Sequence, residues 1–172
     1  MSLLLVTPPA CLPLDLETAK LHARIDGTDR DIILSGSLAA AVAMVEAATR
    51  RALIAQGWRQ IELAPCASIT LARWPVLELL TVGDERGALV EGEDYTVTGR
   101  GPDAVSVAPV FGWQGEVVIE YRAGYGESGA DVPAPLVSAV ALRFVALIDI
   151  DQEPACRRAA EALEAPYWVP RL

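Results

Sequence analysis

The sequence predicts an α+β fold: a small helical body of about four helices, with an antiparallel β region inserted between the second and the third. Three observations carry this. Apolar residues recur every three or four positions along 30–50 and again along 136–147, the period of a helix buried on one face. Between those segments, from Leu53 to Ala123, apolar and polar residues alternate in short runs punctuated by glycine and proline. The 172 residues, 52% hydrophobic and 22% charged, are enough for one packed domain. The expected organisation is a single domain over 1–172, made of an N-terminal arm with helices (1–52), a β insertion (53–123), a turn with a long helix (124–150) and a C-terminal helix with a tail (151–172).

Each element has a local reason. An extended, proline-rich arm, TPPACLPL, leads to Asp15, which is placed to cap a short helix running to Arg24. The turn DGTDRD follows, and Thr28 or Asp29 is the expected cap of the next helix. Along that helix Leu34, Leu38, Val42, Val45 and Ala48 form one stripe. Its remaining positions are small: Ser35, Gly36, Ser37, Ala39, Ala40 and Ala41. Such residues let another helix or a neighbouring subunit approach closely, and they are equally suited to packing within the domain. Ser37, Ala40 and Ala41 are the candidate subunit-packing positions. Arg50 and Arg51 end the helix where cations suit its dipole.

In the β region, Ile54, Gln56, Trp58, Gln60 and Glu62 share one parity of a strand. Breaks at Pro75 and Gly83-Asp84 separate the following runs, and Gly99-Arg100-Gly101-Pro102 marks a hairpin. In GEVVIEYRAGYG, Val117, Ile119 and Tyr121 face one way and Val118, Glu120 and Arg122 the other. About six short strands are expected in an antiparallel unit. After Pro133, Leu136, Val140, Phe144 and Leu147 form a helical stripe flanked by Val137, Ala141 and Val145. Asp151 can cap a last helix, with Pro154 in its first turn, and Pro166 and Pro170 forbid continuation beyond Glu164.

Composition removes several function classes. The net charge of -9 offers no general attraction to nucleic acid or anionic lipid. Cys11, Cys66 and Cys156 are scattered, with no C-x-x-C spacing, so they read as small, partly buried thiols in a reducing compartment. The opening MSLLLVTPPACLPL lacks a basic n-region, and the apolar run Leu136–Ile150 is interrupted by Arg143 and too short to span a bilayer. The chain is expected to be cytosolic when made.

The motifs that resemble chemistry fail on context. Gly124-Tyr125-Gly126-Glu127-Ser128-Gly129 matches G-x-G-x-x-G, the dinucleotide fingerprint. That fingerprint requires a buried parallel strand before it, a helix starting inside it and a second parallel strand after it. Here the preceding strand is half polar, six residues separate Gly129 from the helix, and no β-rich segment follows. Asp26, Asp29 and Asp31 lack the spacing and terminal glutamate of a calcium loop and suit a turn. His22 is the single histidine, and no G-x-S-x-G elbow is present. No catalytic, cofactor-binding or metal-binding residue is expected, so the chain does not read as an enzyme.

The C-terminus is more informative. Arg157 and Arg158 are followed by Glu161 and Glu164, and one-turn ion pairs are expected to support the helix. Beyond them APYWVPRL offers Tyr167, Trp168 and Arg171, residue types that anchor interfaces. They suit docking onto the protein's own body or onto a partner.

Taken together, LLLVTPPACLPLDLETAKLHARIDGTDRDIIL, VEAATRRALIAQGWRQIEL, LARWPV, DYTV, VVIEYRAGYG with VPAPLVSAVALRFVAL, and LEAPYW resemble the head–tail connector (adaptor) proteins of long-tailed phages, prophages and gene transfer agents. The segments are colinear with that family over nearly the whole chain. The resemblance implies a structural particle component without cofactors: a ring, typically of twelve copies, beneath the portal protein at the capsid vertex. Stopper and tail proteins would bind its other side, and DNA would pass through without sequence-specific contact. It further implies assembly in the bacterial cytoplasm and a final place at the head–tail junction, with no membrane. By position, Arg157, Arg158, Tyr167, Trp168 and Arg171 are the candidate portal interface; Trp168 stands where the family often carries a basic residue. An acidic ring wall would let DNA slide past. The alternatives are a stopper or tail-completion protein of the same particle, or a small soluble enzyme or ligand-binding protein sharing the layout.

Overall fold

The computed structural model describes residues 1–63, 67–99 and 104–168. Helices and antiparallel sheets are both present, an α+β fold with four α-helices among the described residues. The chain forms two compact units, one from Met1–Ala10 with the described residues of Ala55–Tyr125, the other from Cys11–Ile54 with residues 126–168.

The first unit is all β. Its strands are β1 (Ser2–Thr7), β2 (Gln56–Leu63), β3 (Ile69–Thr70), β4 (Val76–Asp84), β5 (Gly87–Ala88), β6 (Tyr95–Thr98), β7 (Ser106–Pro109) and β8 (Glu116–Ala123). A five-stranded sheet runs in the order β1-β2-β8-β4-β5 and a three-stranded sheet in the order β3-β7-β6, with every named pair antiparallel. β8 lies at the centre of the larger sheet. Its alternation does what the sequence predicts, burying Val117, Ile119, Tyr121 and Ala123 on one face. The expected hairpin exists as β6 paired with β7, closing at Thr98 opposite Ser106; 100–103 lie outside the described residues. The arm expected at the N-terminus is a strand over Ser2–Thr7, paired with β2. Its four consecutive apolar residues carry no alternation, so a period-two reading passes over them.

Two buried polar side chains in this unit, Gln60 and Tyr121, fasten main-chain groups. Gln60 is fully buried; its Oε1 accepts from Ala72 N at 2.9 Å and its Nε2 donates to Thr70 O at 3.1 Å, strapping the 70–72 segment to β2. The Tyr121 hydroxyl accepts from Arg73 N at 3.2 Å, and burial pushes its ionisation upward. The Arg73 guanidinium stacks 5.0 Å from the Trp58 ring.

The second unit holds α1 (Leu16–Ala23), α2 (Asp31–Thr49), α3 (Ala134–Ile148) and α4 (Glu153–Glu164). Asp15 caps α1 as expected, accepting from Thr18 N at 2.8 Å and Thr18 Oγ1 at 2.7 Å. α2 buries Leu34, Leu38, Val42 and Val45 of the predicted stripe, together with Ala41 and Thr49. Neither Thr28 nor Asp29 caps it: Arg30 is the N-cap residue, without a side-chain bond. Asp31, the first residue of α2, instead pairs with Lys20 at 2.9 Å, so the acidic cluster is answered by a lysine of α1. α3 buries Leu136, Val140 and Phe144 as predicted, while Leu147 is exposed. α4 begins one residue after an uncapped Gln152; Asp149, not Asp151, accepts from the Asp151 and Gln152 amides.

The glycine motif has no dinucleotide-binding context. β8 is an antiparallel strand, and a short 3₁₀ turn, Gly129–Asp131, stands before α3. A capping box closes that turn, with the Ser128 hydroxyl donating to Asp131 Oδ2 and that carboxylate accepting from Ser128 N, each at 3.0 Å. Glycine is required at 129 because a Cβ there would overlap the Pro13 carbonyl.

Candidate assembly surfaces

The C-terminal face is built on α3 and α4. Arg143 interrupts the apolar run of α3 and is buried, as is Glu164, the last residue of α4. Their side chains form a two-point ion pair, Nε to Oε1 at 2.9 Å and Nη2 to Oε2 at 2.8 Å. Glu164 beside it raises the guanidinium's already high pKa, so Arg143 stays charged. This fixes the end of α4 and the direction in which the chain leaves it.

Arg157 and Arg158 sit on the exposed face of α4. Arg157 bonds Glu153 at 3.0 Å and Glu161 at 3.3 Å, a one-turn ladder on both sides. Arg158 donates to Pro154 O at 3.0 Å. Glu164, expected to support this ladder, is taken by Arg143.

The two tail aromatics divide. Arg51 Nε donates to Tyr167 O at 2.9 Å, and its guanidinium lies 5.9 Å from the Tyr167 ring, so the tail is held to the chain's own helical unit at this point. Trp168 is 61% exposed and lines a shallow hollow with Ala48, Glu161, Glu164 and Ala165. Arg171 lies outside the described residues. An anchored Tyr167 followed by an exposed Trp168 presents one large aromatic from a fixed base.

α2 supplies a second surface. It is long and apolar enough to cross a membrane by length and composition, yet six of its residues pack into the core of the helical unit, the role of a core helix. Only a third of its apolar window is buried within the chain. Ile32 and Ile33 are 91% and 71% exposed, and Gly36, Ala39, Ala40, Ala43 and Met44 are exposed as well. Ser37 is half-buried, and Ala41 is fully buried in its own unit.

A third surface lay outside the sequence expectations: β1 exposes Leu4, Leu5 and Val6 at the edge of the larger sheet. The signal for it is the run LLLV itself, too apolar for a solvated arm.

His22, Ser138 and Cys156 line one open depression of the helical unit, and none of the three hydrogen-bonds another. Among the described residues no group of three or more His, Cys, Asp and Glu side chains is placed to hold a metal ion. Cys66 lies outside the described residues, and Cys11 is exposed with its thiol directed at Glu127 O.

No protein-family model and no curated protein matches the chain. Solved structures do. A chain in the virion of a native gene transfer agent (GTA) particle is similar at 24% identity and a TM-score of 0.77, covering 100% of this chain and 97% of that one. A chain in the neck of an empty GTA particle computed with C6 symmetry is similar at 23% identity and a TM-score of 0.76, over the same shares. A chain in the neck of a native GTA particle computed with C12 symmetry is similar at 22% identity and a TM-score of 0.70, again over 100% and 97%. At these identities the likeness establishes a shared fold over the full length of both chains.

Proposed function

We propose that this chain is a structural head–tail connector of a tailed phage or gene transfer agent particle, the whole chain serving as one connector subunit. Copies form a ring under the portal, join the capsid to stopper or tail proteins, and leave a channel for DNA; twelve copies is the expected number. The observation that supports this most directly is the end-to-end fold similarity to chains from the necks of such particles, solved with six-fold and twelve-fold symmetry. The surfaces suit the role. Trp168 and the Arg157–Arg158 face of α4 contact the portal, with Arg171 expected to join them. The exposed part of α2 meets a neighbouring copy through Ala40 and Ser37; Ala41, being internal, supports the helix from within. The acidic balance of the chain suits a wall that DNA passes without adhering. The role is structural, not enzymatic, and involves no membrane. The protein assembles in the bacterial cytoplasm and finishes at the head–tail junction.

Electron microscopy of the protein mixed with the portal ring of its own particle tests the reading. The expected result is a ring docked coaxially on the portal, with Trp168→Ala lowering portal affinity at least tenfold while leaving the melting temperature unchanged. A chain that remains monomeric and indifferent to the portal overturns it.

A further inference from the structure

We infer that neighbouring copies of this chain join edge to edge through their larger sheets, β1 of one copy pairing antiparallel with the free edge of β4 in the next; this rests on the connector reading above. Both edges are open among the described residues. There β1 pairs on one side only, with β2. At the opposite end, β5 covers β4 only at Gly83 and Asp84, so among the described residues Val76–Thr81 pairs on the β8 side alone. Val76–Leu79 line an open groove together with Glu91, Val97, Gly99 and Val105.

The directions match and the lengths are close. β1 has 6 residues, with a register shift between Leu5 and Thr7; Val76–Thr81 has as many, with shifts between Val76 and Glu78 and between Leu79 and Thr81. β1, β2, β8 and β4 alternate in direction, so β1 and β4 run opposite to one another. A second copy placed beside the first in the same orientation therefore brings its β1 antiparallel to β4, with sheet faces continuous. Such a contact uses two different patches, the head-to-tail type that closes into a ring when the rotation allows. Two copies meeting β1 to β1 would instead stop at a dimer.

The chemistry of the edge points the same way. Exposed edges are commonly guarded by charges or by proline within the strand. Ser2–Thr7 contains neither, and Leu4, Leu5 and Val6 are 48%, 48% and 52% exposed. On the β4 side Leu77 and Leu80 are 45% and 49% exposed, with Glu78 the one charged residue of the free stretch. Two apolar edges of one chain, similar in length and opposed in direction, make a second copy the fitting occupant.

The test places the photo-crosslinking residue p-benzoylphenylalanine at Leu4 of the full-length chain, assembled on its portal ring. The expected product is an inter-copy crosslink to the tryptic peptide Trp74–Arg86, which contains the free stretch. The double variant Leu4→Lys/Val6→Lys should lower ring yield at least tenfold with an unchanged melting temperature. Rings that crosslink elsewhere, or that form normally with both lysines, overturn the edge pairing and leave the connector reading standing. Failure of the unmodified chain to form a ring on the portal overturns that reading and this inference with it.

Discussion

In the helical unit the buried polar groups that link one helix to the next are charged: Lys20 against Asp31, and Arg143 against Glu164, whereas buried Thr49 bonds only to Val45 O of its own helix. In the β unit Gln60 and Tyr121 are neutral, with Gln60 bonded to Ala72, Thr70 and the Glu62 carboxylate, and Tyr121 to Arg73 N. The difference follows from what each architecture leaves undetermined. A β ladder fixes its own register through main-chain bonds, so a buried amide need only fasten a strand-free segment to it. Packed helices have no such ladder between them and can slide or rotate. A charged pair placed at one helix end gives a directional link: Lys20 joins α1 to the first residue of α2, and Arg143 joins α3 to the last residue of α4.

The largest effect should come from the α3–α4 pair. Glu164→Ala leaves the Arg143 guanidinium buried without its carboxylate, a change that costs about 3–5 kcal/mol. Urea unfolding monitored by circular dichroism measures it. Replacing both partners with apolar residues, Arg143→Met with Glu164→Leu, should recover most of that loss, because the penalty belongs to the unpaired charge. A single variant as stable as the parent would remove the contrast between the two units.

The neutral network should break more gently. Gln60→Leu keeps the volume but strands the partly buried Ala72 N and Thr70 O, for an expected loss of about 1 kcal/mol or somewhat more. The loss should appear first as faster amide hydrogen exchange at 70–72. If Glu164→Ala and Gln60→Leu cost the same, the distinction between charged links and a self-registering ladder has no energetic content.

These same features explain what the sequence could disclose. The helices were legible because their buried faces repeat at helical spacing, and α1 because Asp15 announces its own cap. β8 was legible because a central strand with one buried face must alternate. β1 was not, since an edge strand with apolar residues on both faces has no period to read. The caps of α2 and α4 were misassigned for a different reason. Both turns hold several carboxylates, and which one turns to a backbone amide depends on neighbours such as Lys20 that only folding supplies. The destination of Glu164 was hidden likewise: no arginine stands three or four positions before it, and Arg143 lies 21 positions away. Among the assembly surfaces, the aromatic tail could be found by composition, but the division between an anchored Tyr167 and an outward Trp168 needed Arg51.

The smallest effect lies in a charged site that the β unit does possess, at the β4–β5 turn. Asp84 accepts from Arg86 Nη2 at 2.7 Å and from the Arg86 and Gln114 amides at 2.9 and 3.0 Å. Chiefly through the Arg86 side chain, its carboxyl is held down to about 2 from the usual 3.8. A carboxylate with a depressed folded-state pKa contributes stability above its unfolded pKa and loses it as pH falls through the folded value. Between pH 4 and pH 2 the parent should therefore lose roughly 1 kcal/mol more than Asp84→Asn, a modest figure because Arg86 is partly open to water. Unfolding free energies measured across that interval give the difference directly. A contribution this small at a two-residue strand would fit a unit whose order rests on its ladder, whereas a loss rivalling that of Glu164→Ala would mean that charge fastens the β unit as firmly as it does the helices.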